Sequence, residues 1–489
     1  MAPEYDLYIN GKECKGGSGY EDTLNPYTEQ PWAKIAQASV QDVQDAVSAA
    51  ETAFETWSKV PGVQRAKLMH KLADLIEEEA ETLSKIETSD NGKIRRETKS
   101  QMFFAARNYR FFAGMADKLV GETKPLDNPQ AFDFTTREPI GVCALITPWN
   151  SPIAILTNKL APCLAAGNTC VIKPSEFTTA STLYFVKSCV ERAGFPPGVV
   201  NVVAGKADVG QALVTHPAIG RISFTGSVNI GRVIARQASQ NIVPVTLELG
   251  GKSANIILDD AELDRAIPGS VAGIFAASGQ TCIAGSRLLV HRSVYDDVLS
   301  GILKRIKSIR FGDPQDMTTD IGPVAHRGQW ETIHAHIDKA EKDGAKLLAG
   351  GRSESEKMGG LFVAPTVFAD VDPKSDLAQN EVFGPVLALI PFDTDDEAVR
   401  IANGTKYGLA AGLWTSNIRR AHNLAGRLNA GQVWVNTYRS SAAMAPFGGF
   451  GQSGYGKERG TEALLEYTRL KNVMIDLSEE VRDPFTIKL

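Results

Sequence analysis

The residue with the clearest potential for chemistry in this sequence is a cysteine with small neighbours. Cys282 lies in the stretch FAASGQTCIAGSR (275–287), and Gly279 and Gly285 flank it. Small side chains allow backbone and ligand to come close to the sulfur, so the thiol could act as a nucleophile. Cysteine is also among the most buried residue types and often packs as an inert hydrophobe. The stretch alone leaves both interpretations open.

A nucleophilic thiol needs a partner that moves protons, and Glu248 is the best candidate. It ends the apolar run PVTLEL (244–249) and is followed by two glycines. Apolar surroundings raise the pKa of a carboxyl group, which suits a general base near neutral pH. An ion pair with Lys252 is the alternative. No histidine lies near Cys282 in the sequence, which disfavours a Cys–His hydrolase without excluding it.

Short apolar runs that alternate with helical segments indicate the elements that position these residues. Their composition is typical of buried parallel strands joined by crossover helices. We therefore expect an α/β fold with a doubly wound, Rossmann-like parallel sheet, in which ligands bind beyond the carboxyl ends of the strands. The runs are GVCALIT (141–147), TCVIK (169–173), VVNVVA (199–204), RISFT (221–225), PVTLEL (244–249) and ANIIL (254–258).

The residues that follow these runs predict a nucleotide site. Gly226 and Ser227 end a strand and open a helix, whose free N–H groups could bind a phosphate; a plain helix cap is the alternative. Lys173 and Glu176 follow another strand, where a carboxylate suits a ribose diol and disfavours a 2′-phosphate. We therefore expect NAD, with NADP less favoured. Gly205, which follows VVNVVA, is a further candidate at this edge.

Composition restricts the class of partner. The chain has 489 residues and a net charge of -5 without a long basic block, so we expect about three domains and no nucleic-acid or membrane partner. The uncharged stretch 266–286 is too polar to insert into a bilayer. Two histidines, His334 and His336, lie two residues apart and should face different directions at the surface, so we expect no metal site.

Cysteine usage and the N-terminus suggest the compartment. The six cysteines include no C-x-x-C pair and are sparse, which fits reduced thiols. The first residues, MAPEYDLYINGKE, contain acidic residues where a signal peptide has a basic region and an apolar run. We expect a cytoplasmic protein.

Seven motifs in one order and spacing resemble those of the aldehyde dehydrogenase superfamily. The resemblance extends from about residue 7 to 473, and so many separate matches make accident improbable. The motifs are ITPWN (146–150), KPSE (173–176), FTGS (224–227), LELGGKS (247–253), GQTC (279–282), EVFGPV (381–386) and PFGGFGQSG (446–454).

This resemblance implies a role for individual residues. Cys282 would be the nucleophile, Glu248 the general base that hydrolyses the thioester, and Asn150 with the Cys282 backbone N–H the oxyanion site. The glutamate favours release of a free acid over acyl transfer. The cofactor residues that the resemblance and the strand ends imply are Trp149, Lys173, Ser175, Glu176, Gly205, Phe224, Gly226, Ser227, Leu249, Glu381 and Phe383.

The resemblance also implies a domain organisation. A cofactor domain would comprise 1–120 and 140–250, a catalytic domain 251–452, and an oligomerisation element 121–139 with 453–489. The stretch LKNVMIDL (470–477) looks like a strand and would be an exposed edge in a monomer. We expect a homodimer or a homotetramer.

The substrate is a small aldehyde whose identity depends on the tunnel. The resemblance places Ser151, Ile155, Thr281, Ile283, Arg439, Ser441 and Phe447 in its wall. Serines at two positions where aromatics are common suggest a wide tunnel, and the apolar residues favour a medium-chain aliphatic or aromatic aldehyde. Arg439 would favour a carboxylate-bearing semialdehyde if it faces inward, or it could lie at the solvent rim.

Two further classes of protein use the same residues. An esterase or thioesterase would need Cys282 and Glu248 but no nucleotide. A binding protein could retain the fold without the chemistry, although the presence of all three catalytic candidates argues against it.

Overall fold

The first of two large sheets forms the centre of the N-terminal half in the computed structural model, which describes residues 2–479 and residue 485. Its five inner strands are parallel and its outer strands antiparallel. The predicted doubly wound α/β fold is confirmed. From edge to edge the strands are Gly454–Tyr455, Val245–Glu248, Ile219–Thr225, Val142–Ile146, Thr169–Lys173, Val200–Val202, Leu7–Ile9 and Lys12–Cys14.

The strand order creates a crevice between two neighbours. From Val142–Ile146 the chain proceeds outward in one direction to Thr169–Lys173 and Val200–Val202, and then returns to Ile219–Thr225 on the other side. The connections that leave the two central strands therefore diverge, and their loops form a topological switch point. The ITPWN and FTGS motifs follow these two strands.

Helices cover both faces of this sheet, which explains why its strands are continuously apolar. Val40–Trp57 packs with Ala207–Thr215 on one face, and Gly62–Glu78, Arg95–Met115 and Pro152–Ala166 pack together on the other. The remaining helices of this half and of the C-terminal segment that joins it are Ala80–Asn91, Ala180–Phe185, Val228–Ala238 and Gly460–Glu466.

The second large sheet has seven strands, all parallel except one at the edge. Two apolar clusters pack against it. Its strands, from edge to edge, are Lys346–Ala349, Thr366–Ala369, Val386–Phe392, Arg287–His291, Ala254–Ile257, Ala410–Trp414 and Gln432–Val435. Its helices are Leu263–Phe275, Tyr295–Ile306, Arg327–Lys342, Arg352–Met358, Asp376–Gln379, Asp395–Asn403 and Ile418–Arg427.

A small sheet joins distant parts of the chain. Ala131–Pro139 pairs antiparallel with Thr468–Asp476 along its whole length and with Thr123–Lys124 on its other side. Residues 480–484 and 486–489 of the predicted tail lie outside the described residues. Short strands complete the fold: Glu4–Tyr5, Tyr20–Leu24 and Pro31–Ala36 in one sheet, and Tyr407–Gly408 with Phe450–Gly451 in another.

Across the described part of the chain, the search for a helix with the length and apolar character of a membrane span found none.

Candidate active site

The turn that leads to Cys282 has an unusual backbone. Helix Leu263–Phe275 ends in a short turn in which Ala277, Ser278 and Gly279 all have left-handed φ values of 55°, 54° and 69°. A Cβ at Gly279 would lie 2.2 Å from the carbonyl carbon of Gly384, so only glycine fits there. The small residues predicted to give access to the sulfur therefore also allow a sharp turn against a neighbouring loop.

Cys282 lies half-buried in the wall of a cavity of about 240 Å³. Burial, and then the negative charges of Glu381 and Glu248, raise the pKa of its thiol to about 12, and the charge of Arg459 acts in the opposite direction. The resting thiol is therefore protonated at neutral pH. The same cavity is lined by Trp149, Asn150, Ile155, Glu248, Leu249, Glu381 and Phe383.

Two N–H donors lie beside the sulfur. The Asn150 amide Nδ2 donates to the carbonyl oxygen of Gln280 at 2.9 Å, which holds the side chain next to the cysteine turn. The backbone N–H of Cys282 donates to no acceptor in the part of the chain that the structure describes. A ligand oxygen placed between them could accept a hydrogen bond from each, as an oxyanion site requires.

Glu248 ends strand Val245–Glu248 with its carboxylate fully inside the protein. The residue is 2% exposed, and neither oxygen accepts a hydrogen bond from a described residue. Burial and the nearby charge of Glu458 raise its pKa well above the usual range, although Lys159 acts against them. The ion pair with Lys252 is absent among the described residues. The carboxyl group is available to hold or accept a proton near neutral pH.

A groove of about 410 Å³ runs along the carboxyl ends of the parallel strands. It shares Pro148, Trp149 and residues 225–227 with the Cys282 cavity, so the two spaces adjoin each other. Glu176 is exposed at the groove edge, whereas Lys173 and Ser175 are buried in its wall. The predicted cofactor residues that line the groove are Trp149, Lys173, Ser175, Glu176, Phe224, Gly226 and Ser227.

Ser227 has the capping role that the sequence left open as the alternative, and its phosphate role stays a prediction. Its Oγ accepts from the N–H of Ile230 at 3.3 Å and so caps helix Val228–Ala238. The start of that helix also faces the groove, where its N–H groups could meet a phosphate.

At the junction of groove and cavity, Glu381 and Phe383 lie opposite the cysteine turn. Glu381 accepts from the N–H of Gly251 at 2.9 Å, and burial raises its pKa to about 7. The ring of Phe383 meets that of Trp149 edge-on at 5.3 Å. These side chains narrow the passage from the groove to the sulfur.

Gly205 needs a different interpretation from the one that its position after a strand suggested. It is buried, and a Cβ there would lie 2.4 Å from the side chain of Val209 on helix Ala207–Thr215. It is not among the residues that line the groove. The glycine allows close packing of strand and helix, which gives it a structural role.

One of the predicted substrate residues lines the Cys282 cavity, and the others lie in neighbouring segments of the chain. Ile155 lines the Cys282 cavity, while Thr281 and Ile283 flank the cysteine itself. Ser151, next to the candidate oxyanion residue, accepts a hydrogen bond from Lys93. Arg439 is half-buried. It donates to Thr281 Oγ1 at 3.4 Å on one side and lines an outer cavity on the other, so it lies between the cysteine turn and the surface.

Ser441 and Phe447 of the predicted set both contact one residue that sequence reasoning missed. Arg459 donates to Ser441 Oγ and lies over the Phe447 ring with 4.8 Å to its centroid. The residue follows Glu458 in a loop without a motif signal of its own. The only sequence signal for Arg459 would have been its charge, which is unexpected beside a tunnel predicted to be apolar.

The match to protein-family models agrees with this geometry. The model of the Aldehyde dehydrogenase family covers residues 14–473. The chain belongs to the aldehyde dehydrogenase family.

Relatives in this family align over nearly the whole chain. A (Z)-2-((N-methylformamido)methylene)-5-hydroxybutyrolactone dehydrogenase of Acinetobacter baylyi is 43% identical, with 99% of this chain and all of the relative covered. Human retinaldehyde dehydrogenase 3 is 42% identical, with 97% of this chain and 93% of the relative covered. The NAD+ complex of a Bacillus cereus aldehyde dehydrogenase superposes with a TM-score of 0.95 at 42% identity, covering 97% of each chain.

The prediction that His334 and His336 both lie at the surface was partly wrong for this aldehyde dehydrogenase. His334 is fully buried, because its ring packs against Trp330 and its Nδ1 contacts the Trp330 carbonyl at 2.8 Å. His336 is half-buried. Among the described residues there is no group of three or more histidine, cysteine or acidic side chains that could hold a metal ion.

Proposed function

We propose that this aldehyde dehydrogenase oxidises an aldehyde to its carboxylic acid with NAD+, through a covalent intermediate on Cys282. The observation that carries the proposal is that the strand-end groove adjoins the cavity lined by Cys282, Glu248 and Asn150. The net reaction converts an aldehyde, water and NAD+ into a carboxylate, NADH and two protons.

The groove suits a dinucleotide by its length and its charges. Lys173 and the exposed Glu176 would hold the adenosine ribose, and the start of helix Val228–Ala238 would meet the pyrophosphate. Glu381 and Phe383 would hold the nicotinamide end beside Cys282. Bound NAD+ supplies the acceptor for the hydride that leaves the aldehyde carbon.

The first half of the reaction forms a carbon–sulfur bond. The Cys282 thiol loses its proton to solvent, and the thiolate attacks the carbonyl carbon. Asn150 Nδ2 and the Cys282 N–H donate to the oxygen as it becomes negative, and one such donor contributes about 3 kcal/mol to stabilising the transition state. Loss of hydride from the same carbon leaves a thioester on the sulfur.

The second half of the reaction needs a base. Glu248 accepts a proton from water as the water oxygen attacks the thioester carbon, the carbon–sulfur bond breaks, and the acid is released. Because burial raises the pKa of Glu248, the carboxylate is a stronger base than an exposed glutamate. Neither oxygen accepts a hydrogen bond from a described residue, so no existing bond has to break before one of them accepts this proton.

The thiol pKa gives a prediction about pH. Burial raises this pKa above its usual value, so less thiolate is present at any given pH and reactivity increases as pH rises. In the absence of nucleotide, we expect alkylation of Cys282 by iodoacetamide to accelerate continuously from pH 7 to 10, as followed by mass spectrometry of the Cys282 peptide. Glutathione under the same conditions is the control. A plateau below pH 8 would contradict the expectation.

The small sheet supports an oligomerisation role for residues 121–139 and 453–489. Residues 1–120 and 140–250 would then form the cofactor domain, and residues 251–452 the catalytic domain. Among the described residues, strand Thr468–Asp476 lies at the edge of this sheet, and Leu470 and Met474 on it are 58% and 62% exposed. A free edge with exposed apolar side chains is a ready surface for a second copy of the chain.

We expect a solution mass of two or four chains of 52.7 kDa by light scattering. Replacing Leu470 and Met474 by Lys should shift the mass toward one chain, because charges would have to be buried at the contact. Ile242→Lys is the matched control, since Ile242 is 89% exposed elsewhere on the surface. A single-chain mass for the unmodified protein would contradict the proposal.

The function itself is tested by absorbance at 340 nm with aliphatic, aromatic and carboxylate-bearing aldehydes, each with NAD+ and NADP+. We expect NADH formation and a preference for NAD+, because Glu176 would repel a 2′-phosphate. Ester hydrolysis without any nucleotide-dependent oxidation would favour the esterase alternative. Because all six cysteines are free thiols, we place the enzyme in the reducing cytoplasm.

A further inference from the structure

Arg459 has a backbone conformation that is unusual for an arginine. Its φ of 62° and ψ of 171°, just before helix Gly460–Glu466, lie in a region populated almost only by glycine. Two backbone hydrogen bonds between Phe447 and Glu458, of 2.6 and 2.7 Å, hold the loop in place. A glycine would relieve this strain, so the arginine side chain must contribute something that offsets it.

The guanidinium group is held in a defined orientation. It lies between the rings of Phe104 and Phe447, 5.0 and 4.8 Å from their centroids. Its Nε donates to Asn158 Oδ1 at 3.3 Å, and its Nη1 donates to Ser441 Oγ. Its Nη2 donates to no described residue.

This positive charge has no negative partner among the described residues. The nearest acidic side chain in sequence, Glu458, is bound to Lys159 by a buried ion pair of 2.6 Å. Arg459 itself forms no ion pair within 4.0 Å in the described chain. Arg459 is partly buried, and the carboxylates of Glu458 and Glu248 act on it only at longer range, so an anionic ligand in direct contact would be stabilised at this position.

The charge also acts on the reacting groups. Arg459 lowers the pKa of both Cys282 and Glu248 against the larger effect of burial. Its contacts Phe447 and Ser441 belong to the predicted tunnel, and Asn158 lies on helix Pro152–Ala166, two turns after Asn150. The guanidinium therefore lies near both the reacting groups and two side chains of the predicted tunnel.

We infer that Arg459 binds a carboxylate on the aldehyde substrate, so that the enzyme acts on ω-oxo acids, which are semialdehydes. This inference rests on the proposed function. A guanidinium covered on both faces by rings still presents its N–H groups in its own plane, and a planar carboxylate accepts hydrogen bonds in that arrangement. The aldehyde carbon at the other end of the substrate then reaches Cys282.

Arg439 is a weaker candidate for the same task. It donates to the carbonyl oxygens of Ala272 and Ala276 at 3.5 and 3.4 Å and to Thr281, so several of its N–H groups have partners. It also borders a wide outer cavity with Arg96, Glu97 and Asp320, where charges of both signs are present. We assign it to the entrance of the tunnel.

The test compares succinic, glutaric and adipic semialdehyde with their methyl esters, which differ only in the charge. For the unmodified enzyme we expect at least one semialdehyde to have a kcat/KM about 100-fold above that of its ester. In Arg459→Met this ratio should fall to near one, mainly through KM, and Arg459→Lys should recover part of it. Each ratio compares two substrates of the same enzyme variant. A general loss of activity therefore lowers both kcat/KM values equally and leaves their ratio unchanged.

A second readout does not depend on turnover. Glutarate should slow the alkylation of Cys282 in the unmodified enzyme but not in Arg459→Met. The uncharged diol of the same chain length, 1,5-pentanediol, should protect neither enzyme. Arg427→Met, which removes a surface arginine paired with Asp396, is the charge-matched control.

The possible outcomes separate the two proposals. Oxidation of esters and semialdehydes at equal kcat/KM, with no protection by glutarate, would overturn the role of Arg459 and leave the proposed function intact. A fall in the ratio for Arg439→Met but not for Arg459→Met would also overturn it. Protection by glutarate in an enzyme that oxidises no aldehyde would support the carboxylate site while removing the proposed function.

Discussion

Replacement of Cys282 by alanine is expected to abolish aldehyde oxidation while leaving nucleotide binding in place. No other thiol lines the cavity shared with Asn150 and Glu248, so the variant has no atom that can form the thiohemiacetal. Loss of a covalent nucleophile costs on the order of 10⁶-fold in kcat. The groove for the cofactor is built from strand-end residues, so its affinity should change little.

The measurement is NADH formation at 340 nm with saturating aldehyde, together with NAD+ affinity by calorimetry. Cys14→Ala is the matched control, because Cys14 is a half-buried thiol in the strand at the far edge of the first sheet. We expect its activity to stay within twofold of the unmodified enzyme. Turnover by Cys282→Ala above 1% would contradict a covalent mechanism, and loss of NAD+ affinity would indicate a wider structural defect.

The strands were largely predictable from the sequence because burial on both faces leaves a continuous apolar run. TCVIK was predicted at 169–173, where the structure places Thr169–Lys173, and GVCALIT contains Val142–Ile146. The run ANIIL was also a strand, yet it lies in the second sheet, between Arg287–His291 and Ala410–Trp414. An apolar run reports that a strand is buried but not which strands lie beside it.

The polar groups of the site were only partly predictable, for a related reason. Glu248 and Asn150 end or follow strands of the parallel sheet, and such ends converge at one edge, so their proximity follows from the fold class. Arg459 belongs to a loop after an antiparallel edge strand, and its partners Phe104 and Asn158 lie on two different helices. No local spacing relates these three positions.

Gly205 shows that a position after a strand does not by itself identify a ligand-binding residue. It follows a strand of the same sheet, which made it a reasonable ligand candidate, but it lies against Val209. Position after a strand identifies the edge of the sheet where ligands bind. It does not determine whether the residue faces the ligand or the helix that follows.

Replacement of Glu248 by glutamine is expected to reduce steady-state turnover by about 10³-fold, within the range for loss of a general base. The first hydride transfer does not need this base, so one equivalent of NADH should still form before turnover stops. The amide is close in size to the carboxyl group, and the fully buried position has no described hydrogen-bond partner to lose. The defect is therefore chemical and lies in hydrolysis of the thioester.

Stopped-flow absorbance at 340 nm should show this burst, and mass spectrometry should detect the acyl group on the Cys282 peptide. Glu55→Gln, at an exposed position of helix Val40–Trp57, is the matched control and should show normal turnover. Failure to form the burst would place Glu248 before hydride transfer, as the base that deprotonates the thiol. Because the pKa of this thiol is raised to about 12, that role is chemically reasonable, and the burst amplitude decides between the two.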